Sequence, residues 1–472
     1  MKDTQLYFIF RRLNKSACNA IAELALCPVF NKKQEVGRLC AYFARHLSST
    51  DRLLFAKKNV FHYVFPGEPY NDARLRQATF ATLKLIERYL AIQEMEGNGT
   101  ERELYLLRAL RNHGMDKRLD KKMKLLQSQL QNSTRRDAKW NRQNHDLASE
   151  ALQRISSRRR SSKLVMHPLH DHLTSYYLSE MLRHACSALT HQSISAQVYD
   201  LNLLEQVLQL AESFGFAQRP SIAIYYHACK SLQSPENQIH FDYWKKYLKR
   251  SAGEFSDAEL RGIYLLGINF CIRQMNRGNQ QFIREAFDLY HAALERDLLT
   301  EGGYITAFTF KNIIRIGTAL QEEEWTAAFF AKYQHLLHPT ERTNITRYNK
   351  AFLFFSKGAY DQAMPLLQQV EFADTLNNLD ARRMLLRSYF ELGEMQALDS
   401  LLHSFSTFLH RQRDLGYHRD MYLNLTRLLR QFIEMPPDDI TALDKLLVKV
   451  EATSPVAEKD WLLEKINGQL NG

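Results

Sequence analysis

The residues in this chain best suited to chemistry are cations. The stretch DKRLDKKMKLL places Lys117, Lys121 and Lys124 on one helical face at spacings of four and three, with Arg118 and Lys122 flanking them. Farther along, TRRDAKWNR sets Arg135, Arg136 and Lys139 around Trp140, and ISSRRRSSK holds Arg158, Arg159 and Arg160 between serines. From Arg102 to Lys163 there are 17 Lys and Arg against 6 Asp and Glu, while the remaining residues hold 46 of each. The net charge of +11 therefore resides in this one segment. Phosphate groups are drawn to such a patch, and Trp140 between cations could stack on an exposed base. The same residues would also suit docking of an acidic protein. A third reading is a solvated helix face ending in a polar loop, with Trp140 as a core anchor.

A second cluster is HPLHDH, with His167, His170, Asp171 and His172, and His184 farther along. Imidazoles and a carboxylate can ligate zinc and other transition metals. A helical pair of histidine ligands needs spacing i, i+4, which no His pair within HPLHDH has. Pro168 and Asp171 instead suggest a helix start capped by Asp or His, and no metal is expected. The six cysteines, at 18, 27, 40, 186, 229 and 271, form no CxxC and sit in apolar helical contexts, as buried reduced thiols do. That usage points to the cytoplasm.

No GxSxG, GxxxxGK[ST] or GxGxxG occurs, and EGGY is isolated. The run Glu322, Glu323, Glu324 suits an exposed turn. The expectation is a protein without enzymatic activity or cofactor.

The elements that must position these residues are helices. TFATLKLIERYL carries Phe80, Leu83, Ile86 and Leu90 along one stripe, and NITRYNKAFLFF does the same with Ile345, Tyr348, Phe352 and Phe355. Apart from Pro365, the prolines fall between such stripes, as helix boundaries. Pro365 intrudes into a helix, where a kink or late start is expected. The 18 glycines and 11 prolines in 472 residues are too few for the turns of an all-β fold. Helices are expected at roughly 14–27, 32–47, 51–64 and 72–95. The segment FPGEPYNDAR reads as a rigid corner between the last two: Pro66-Gly67 ends one helix and Asn71 or Asp72 caps the next. No stretch is long and apolar enough to span a membrane, and the amino terminus lacks the apolar run of a signal peptide.

The carboxy-terminal half contains a repeat. Trp325, Tyr360 and Met395 recur at intervals of 35. Two residues earlier stand Glu323, Gly358 and Gly393; three residues later stand Ala328, Ala363 and Leu398. A small residue at a turn, a large one packing after it and a small one at a helix contact describe a stacked helical hairpin. The matched positions Gly358, Tyr360 and Ala363 resemble the G-x-Y-x-x-A turn of tetratricopeptide repeats (TPRs); pentatricopeptide repeats share the period. The resemblance covers about 310–410. The opening stretch CPVFNKKQEVGRLCAYFARH is similar to that of a group of large bacterial helical proteins with TPR-like tails. The resemblance implies a solenoid with an inner groove. In TPR clamps, Asn and basic residues hold peptide carboxylates, and Lys311, Asn312 and Arg315 offer those types without matching a clamp residue by residue.

The expected fold is all-α: a helical bundle over 1–100, a basic segment over 101–165, a TPR-like α-solenoid over 166–435 and capping helices over 436–472. The expected function is non-catalytic macromolecular binding through the solenoid, with a protein partner. The alternative is nucleic-acid binding by 102–163.

Overall fold

The computed structural model describes residues 1–47, 49, 51, 53–156, 166–192, 197–372, 375–411, 415, 417–436 and 438–471. Among these residues there are 23 α-helices and one pair of two-residue strands, so the fold is all-α. None of the helices is long and apolar enough to cross a membrane. Two compact units divide the chain: Met1–Met181 with Gln206–Ile222, and Leu182–Glu205 with Ala223–Gly472.

Unit 1 begins with α1 (Gln5–Arg12), α2 (Lys15–Leu26), α3 (Gln34–His46), α4 (Lys57–Val64) and α5 (Asp72–Gly97). The first two pack on α3 and α5, and α3 also contacts α4 and α5. Their apolar faces meet in one core in which Phe10, Ile21, Leu39, Phe43 and Phe61 lose all contact with water. Helix α5 turns Leu75, Ala78, Leu85, Ile86 and Tyr89 to it, and of the expected stripe Phe80 and Leu90 are exposed instead. The corner before α5 forms as its sequence requires. Gly67 turns with φ +81°, and the Asn71 side chain accepts from the Arg74 amide at 3.1 Å. Asp72, in the first turn, bonds Lys57 at 3.0 Å and Arg76 at 3.1 Å, and Glu68 pairs with Arg74.

A three-helix bundle follows: α6 (Gly99–Asn112), α7 (Asp116–Asn132) and α8 (Ala138–Ser156), each touching the other two. Leucines at helical spacing form its core: Leu104, Leu107 and Leu110 from α6, Leu119, Leu126 and Leu130 from α7, and Leu147 from α8. Then come α9 (His167–Gln192), α10 (Leu204–Ser213) and α11 (Pro220–Gln233).

Unit 2 continues with α12 (Gln238–Ser251), α13 (Asp257–Asn276) and α14 (Phe282–Glu295). The isolated EGGY is the turn of a minimal hairpin, Thr300–Glu301 with Tyr304–Ile305, both glycines having positive φ. After it lie α15 (Ala307–Ala319), α16 (Glu323–Tyr333), α17 (Arg342–Ser356), α18 (Tyr360–Leu367), α19 (Thr375–Glu391) and α20 (Met395–Arg411). From α14 to α16 and from α17 to α20 each packs on its successor, a short 3-10 turn links α16 to α17, and α17 also touches both α15 and α19. The last three, α21 (Tyr417–Glu434), α22 (Ile440–Ala452) and α23 (Lys459–Leu470), share one core with α19 and α20.

Three inter-helix turns have the same geometry. Gly358 and Gly393 adopt φ +73° and +70°, and the next residues, Ala359 and Glu394, donate back to the carbonyls of Phe354 and Tyr389. Before α16 that left-handed position belongs to Gln321, with φ +60°, and Glu322 donates to Gly317. Trp325 is consequently the third residue of its helix, whereas Tyr360 and Met395 are the first of theirs. The even interval of 35 conceals a shift of two residues in the first turn. Nor does Pro365 delay its helix: α18 starts at Tyr360 and ends two residues beyond the proline, because the missing amide costs a bond only near the end of a short helix.

Candidate functional site

In the α6–α8 bundle the structure separates spent charge from unspent charge. Glu150, nearly buried, accepts from Arg108 at 3.2 Å and Arg111 at 2.9 Å. Arg154 bonds Asp116 at 2.6 Å and also Asp120. Glu103 takes Lys122 at 2.8 Å, and Glu101 takes Arg142. Lys122 thus belongs to an internal pair rather than to the outer face. Lys117, Arg118, Lys121 and Lys124 are exposed and have no hydrogen-bond or ion-pair partner among the described residues.

Trp140 is an anchor. Its Nε1 donates to the Leu130 carbonyl at 2.9 Å, its ring meets His172 edge-on at 5.2 Å, and the Arg136 guanidinium covers it at 4.5 Å. The indole N–H and the ring are thus engaged within this unit, although the side chain is only partly buried. Arg136 also donates to the Ser133 carbonyl at 2.6 Å, which spends it structurally. Arg135 is exposed at the α7–α8 turn. Arg158, Arg159 and Arg160 lie outside the described residues.

HPLHDH does open a helix, α9, but Asp171 does not cap it. Its carboxylate makes a two-pronged pair with Arg219, at 2.7 and 2.8 Å, and Arg219 also reaches Ser175 Oγ at 2.7 Å. His172 Nδ1 lies 3.1 Å from Asn141 Oδ1, and burial lowers its pKa, which favours the neutral ring. Among the described residues no three His, Cys, Asp or Glu side chains converge as metal ligands.

In unit 2, a polar line crosses α15, α17 and α19. Lys311 Nζ donates to Asn377 at 2.6 Å, and Arg315 bonds both the Tyr348 hydroxyl, at 2.7 Å, and Asp380. Tyr348 also donates to Asp380, and Arg383 closes on it at 3.0 Å. Burial would raise the Asp380 pKa, yet the Arg383 and Arg315 guanidiniums outweigh it and hold the carboxyl at about 2. Beyond it, Glu458 accepts from Arg383 and from Arg387, the latter at 2.7 Å. Asn377, Asp380, Arg383 and Arg387 recur at spacings of three, three and four, one stripe of α19. The stripe is visible in the sequence; its partners, some 32 to 75 residues away, are not.

The acids of the Glu322–Glu324 run are partly engaged: Glu322 bonds Arg284 at 2.8 Å, and Glu323 bonds Lys357 at 2.5 Å. All six cysteines are free thiols, five of them buried. Cys186 and Cys229 place their sulfurs 3.2 Å apart, and burial raises the Cys186 pKa well above its ordinary value. Their separation in sequence conceals this pairing. His227 is stacked between Tyr243 and Tyr247, and burial together with His240 lowers its pKa to about 4. A depression of about 200 Å³ between α14 and α16 is walled by His291, Trp325, Phe329 and Tyr333. A larger polar groove of about 710 Å³ runs along α21 past Arg427 and Arg430.

Comparisons with models of protein families, with curated proteins and with solved structures found no match for the chain.

Proposed function

We propose that this is a non-catalytic binding protein that holds a protein partner along a TPR-like solenoid built from α15 to α20. The observation that carries the reading is the continuity of one face over three successive first helices. Side chains of α15 reach past α17 to α19, as Lys311 does to Asn377 and Arg315 to Asp380. The repeated turn geometry at Gln321, Gly358 and Gly393 supports stacking of equivalent hairpins. Phe308 stands on the same α15 stripe, about one turn before Lys311 and two before Arg315, and is 60% exposed. It marks the open end of that face. The ionisable groups of the polar line bind one another, an arrangement that shapes a surface rather than activating a nucleophile. The reading requires no cofactor and suits a cytoplasmic protein with reduced thiols.

The test is capture of partners by the immobilised full chain, with identification by mass spectrometry. Phe308→Asp should release a specific partner while leaving the thermal melting curve unchanged. Retention of every partner by that variant would overturn the assignment of this face.

A further inference from the structure

We propose that the outer face of α7 is a docking site for the sugar–phosphate backbone of nucleic acid. Four exposed cations, Lys117, Arg118, Lys121 and Lys124, occupy two turns of this helix without partners among the described residues. The bundle's acids offset them only in part: Asp116 and Asp120 share Arg154 and leave one negative charge beside these four positive ones. Glu101, Glu103, Asp116, Asp120 and Glu150 are all committed to Arg142, Lys122, Arg154, Arg108 and Arg111. From Lys117 to Lys124 the helix rises about 10 Å, a length over which duplex DNA carries about six phosphate charges.

The composition of the face selects among anionic partners. Protein interfaces are depleted in lysine and need an apolar centre inside a polar rim. Three of the four cations here are lysines, and the large apolar side chains exposed on or beside α7 are Met115 and Leu125. An anionic membrane attracts such cations by only about 1 kcal/mol each, and stable attachment needs a second signal such as an apolar stripe buried in lipid. The apolar stripe of α7, Leu119, Leu126 and Leu130, is already buried in the bundle core. Phosphate contact needs neither. None of the four cations is flanked by an aromatic side chain on α7 itself, and Trp140 is engaged within the bundle, so binding reads the backbone without regard to sequence. This inference concerns unit 1 and does not depend on the function proposed for unit 2.

The experiment is fluorescence anisotropy with the full chain and labelled random-sequence duplexes of DNA and of RNA, over a salt series, with polyglutamate as the competing polyanion. Binding to either duplex should weaken about 40- to 150-fold between about 50 and about 200 mM salt, the dependence for three or four neutralised phosphates. Lys121→Gln should lower the slope of the salt dependence by about one. The combined substitution Lys117→Gln, Lys121→Gln and Lys124→Gln should abolish binding with an unchanged melting curve, since these side chains are exposed. No binding at the lowest salt overturns the proposal. Undiminished binding by the triple variant overturns the assignment to α7, and preference for polyglutamate over both duplexes overturns the choice of partner.

Discussion

Asp380 stands among three donors, Arg315, Arg383 and Tyr348, and its charge is worth more in the folded chain than in the unfolded one. Its carboxyl titrates at about 2 in the fold against an ordinary 3.8. A depressed carboxyl contributes its full stabilisation above the ordinary value and loses it as pH falls from there toward 2. Acid should therefore weaken the fold over that window, measured as the urea midpoint against pH. Asp380→Asn should flatten this limb and cost about 2–3 kcal/mol at neutral pH, because Arg315 and Arg383 lose the anion they share. An acid limb identical in the variant would show that other carboxylates control it. The sequence displays Asp380 as one acid among 52. Its importance arises from α15 and α17, which bring Arg315 and Tyr348 to it across 65 and 32 residues.

At the scale of elements, the contact between α15 and α16 is limited by one residue. A Cβ at Gly317 would lie 2.2 Å from Thr326 Oγ1, on the facing helix. Gly317→Ala should cost about 1–3 kcal/mol by forcing the two helices apart. The same substitution in a Thr326→Ala background should cost much less, because the remaining Thr326 Cβ would stand 3.4 Å away, an ordinary contact. Urea denaturation of the four proteins of this cycle checks it, and equal losses in both backgrounds would refute the close approach. Gly358 has a different role. Open space surrounds it, so only its left-handed backbone calls for glycine. The sequence separates these two cases poorly: GxY motifs mark the turn, but nothing local marks a glycine needed by a neighbouring helix. The first repeat copy shows the same limit. Gln321 carries the left-handed conformation there, and a search for small residues passes over it.

At the scale of the molecule, the carboxy-terminal helices are part of a larger core rather than an addition to it. Trp461, 4% exposed, donates to Glu391 at 2.6 Å and meets Phe390 edge-on at 5.2 Å. Leu462 and Ile466 are buried beside it in the core shared with α19 to α21. Trp461→Ala should cost about 3–5 kcal/mol. Hydrogen exchange followed by mass spectrometry should show lost protection across α19 to α23 and unchanged protection in α1 to α5, which have a separate core. Loss confined to α23 would mean that the shared core is not cooperative.

Helical period, scarce glycine and proline, and the capping residues at Asn71 and Gly358 are local properties, and they suffice to determine an all-α chain and the corners where it turns. The concentration of positive charge in one segment is likewise a matter of counting. Which of those charges remain available is not local. Arg154 is neutralised by Asp116 and Asp120, 38 and 34 residues away, and Lys122 by Glu103, while Lys121 beside it has no partner among the described residues. Adjacent lysines on a helix point about 100° apart. Only the packing of α6 and α8 against α7 decides which of them meets a carboxylate and which meets water.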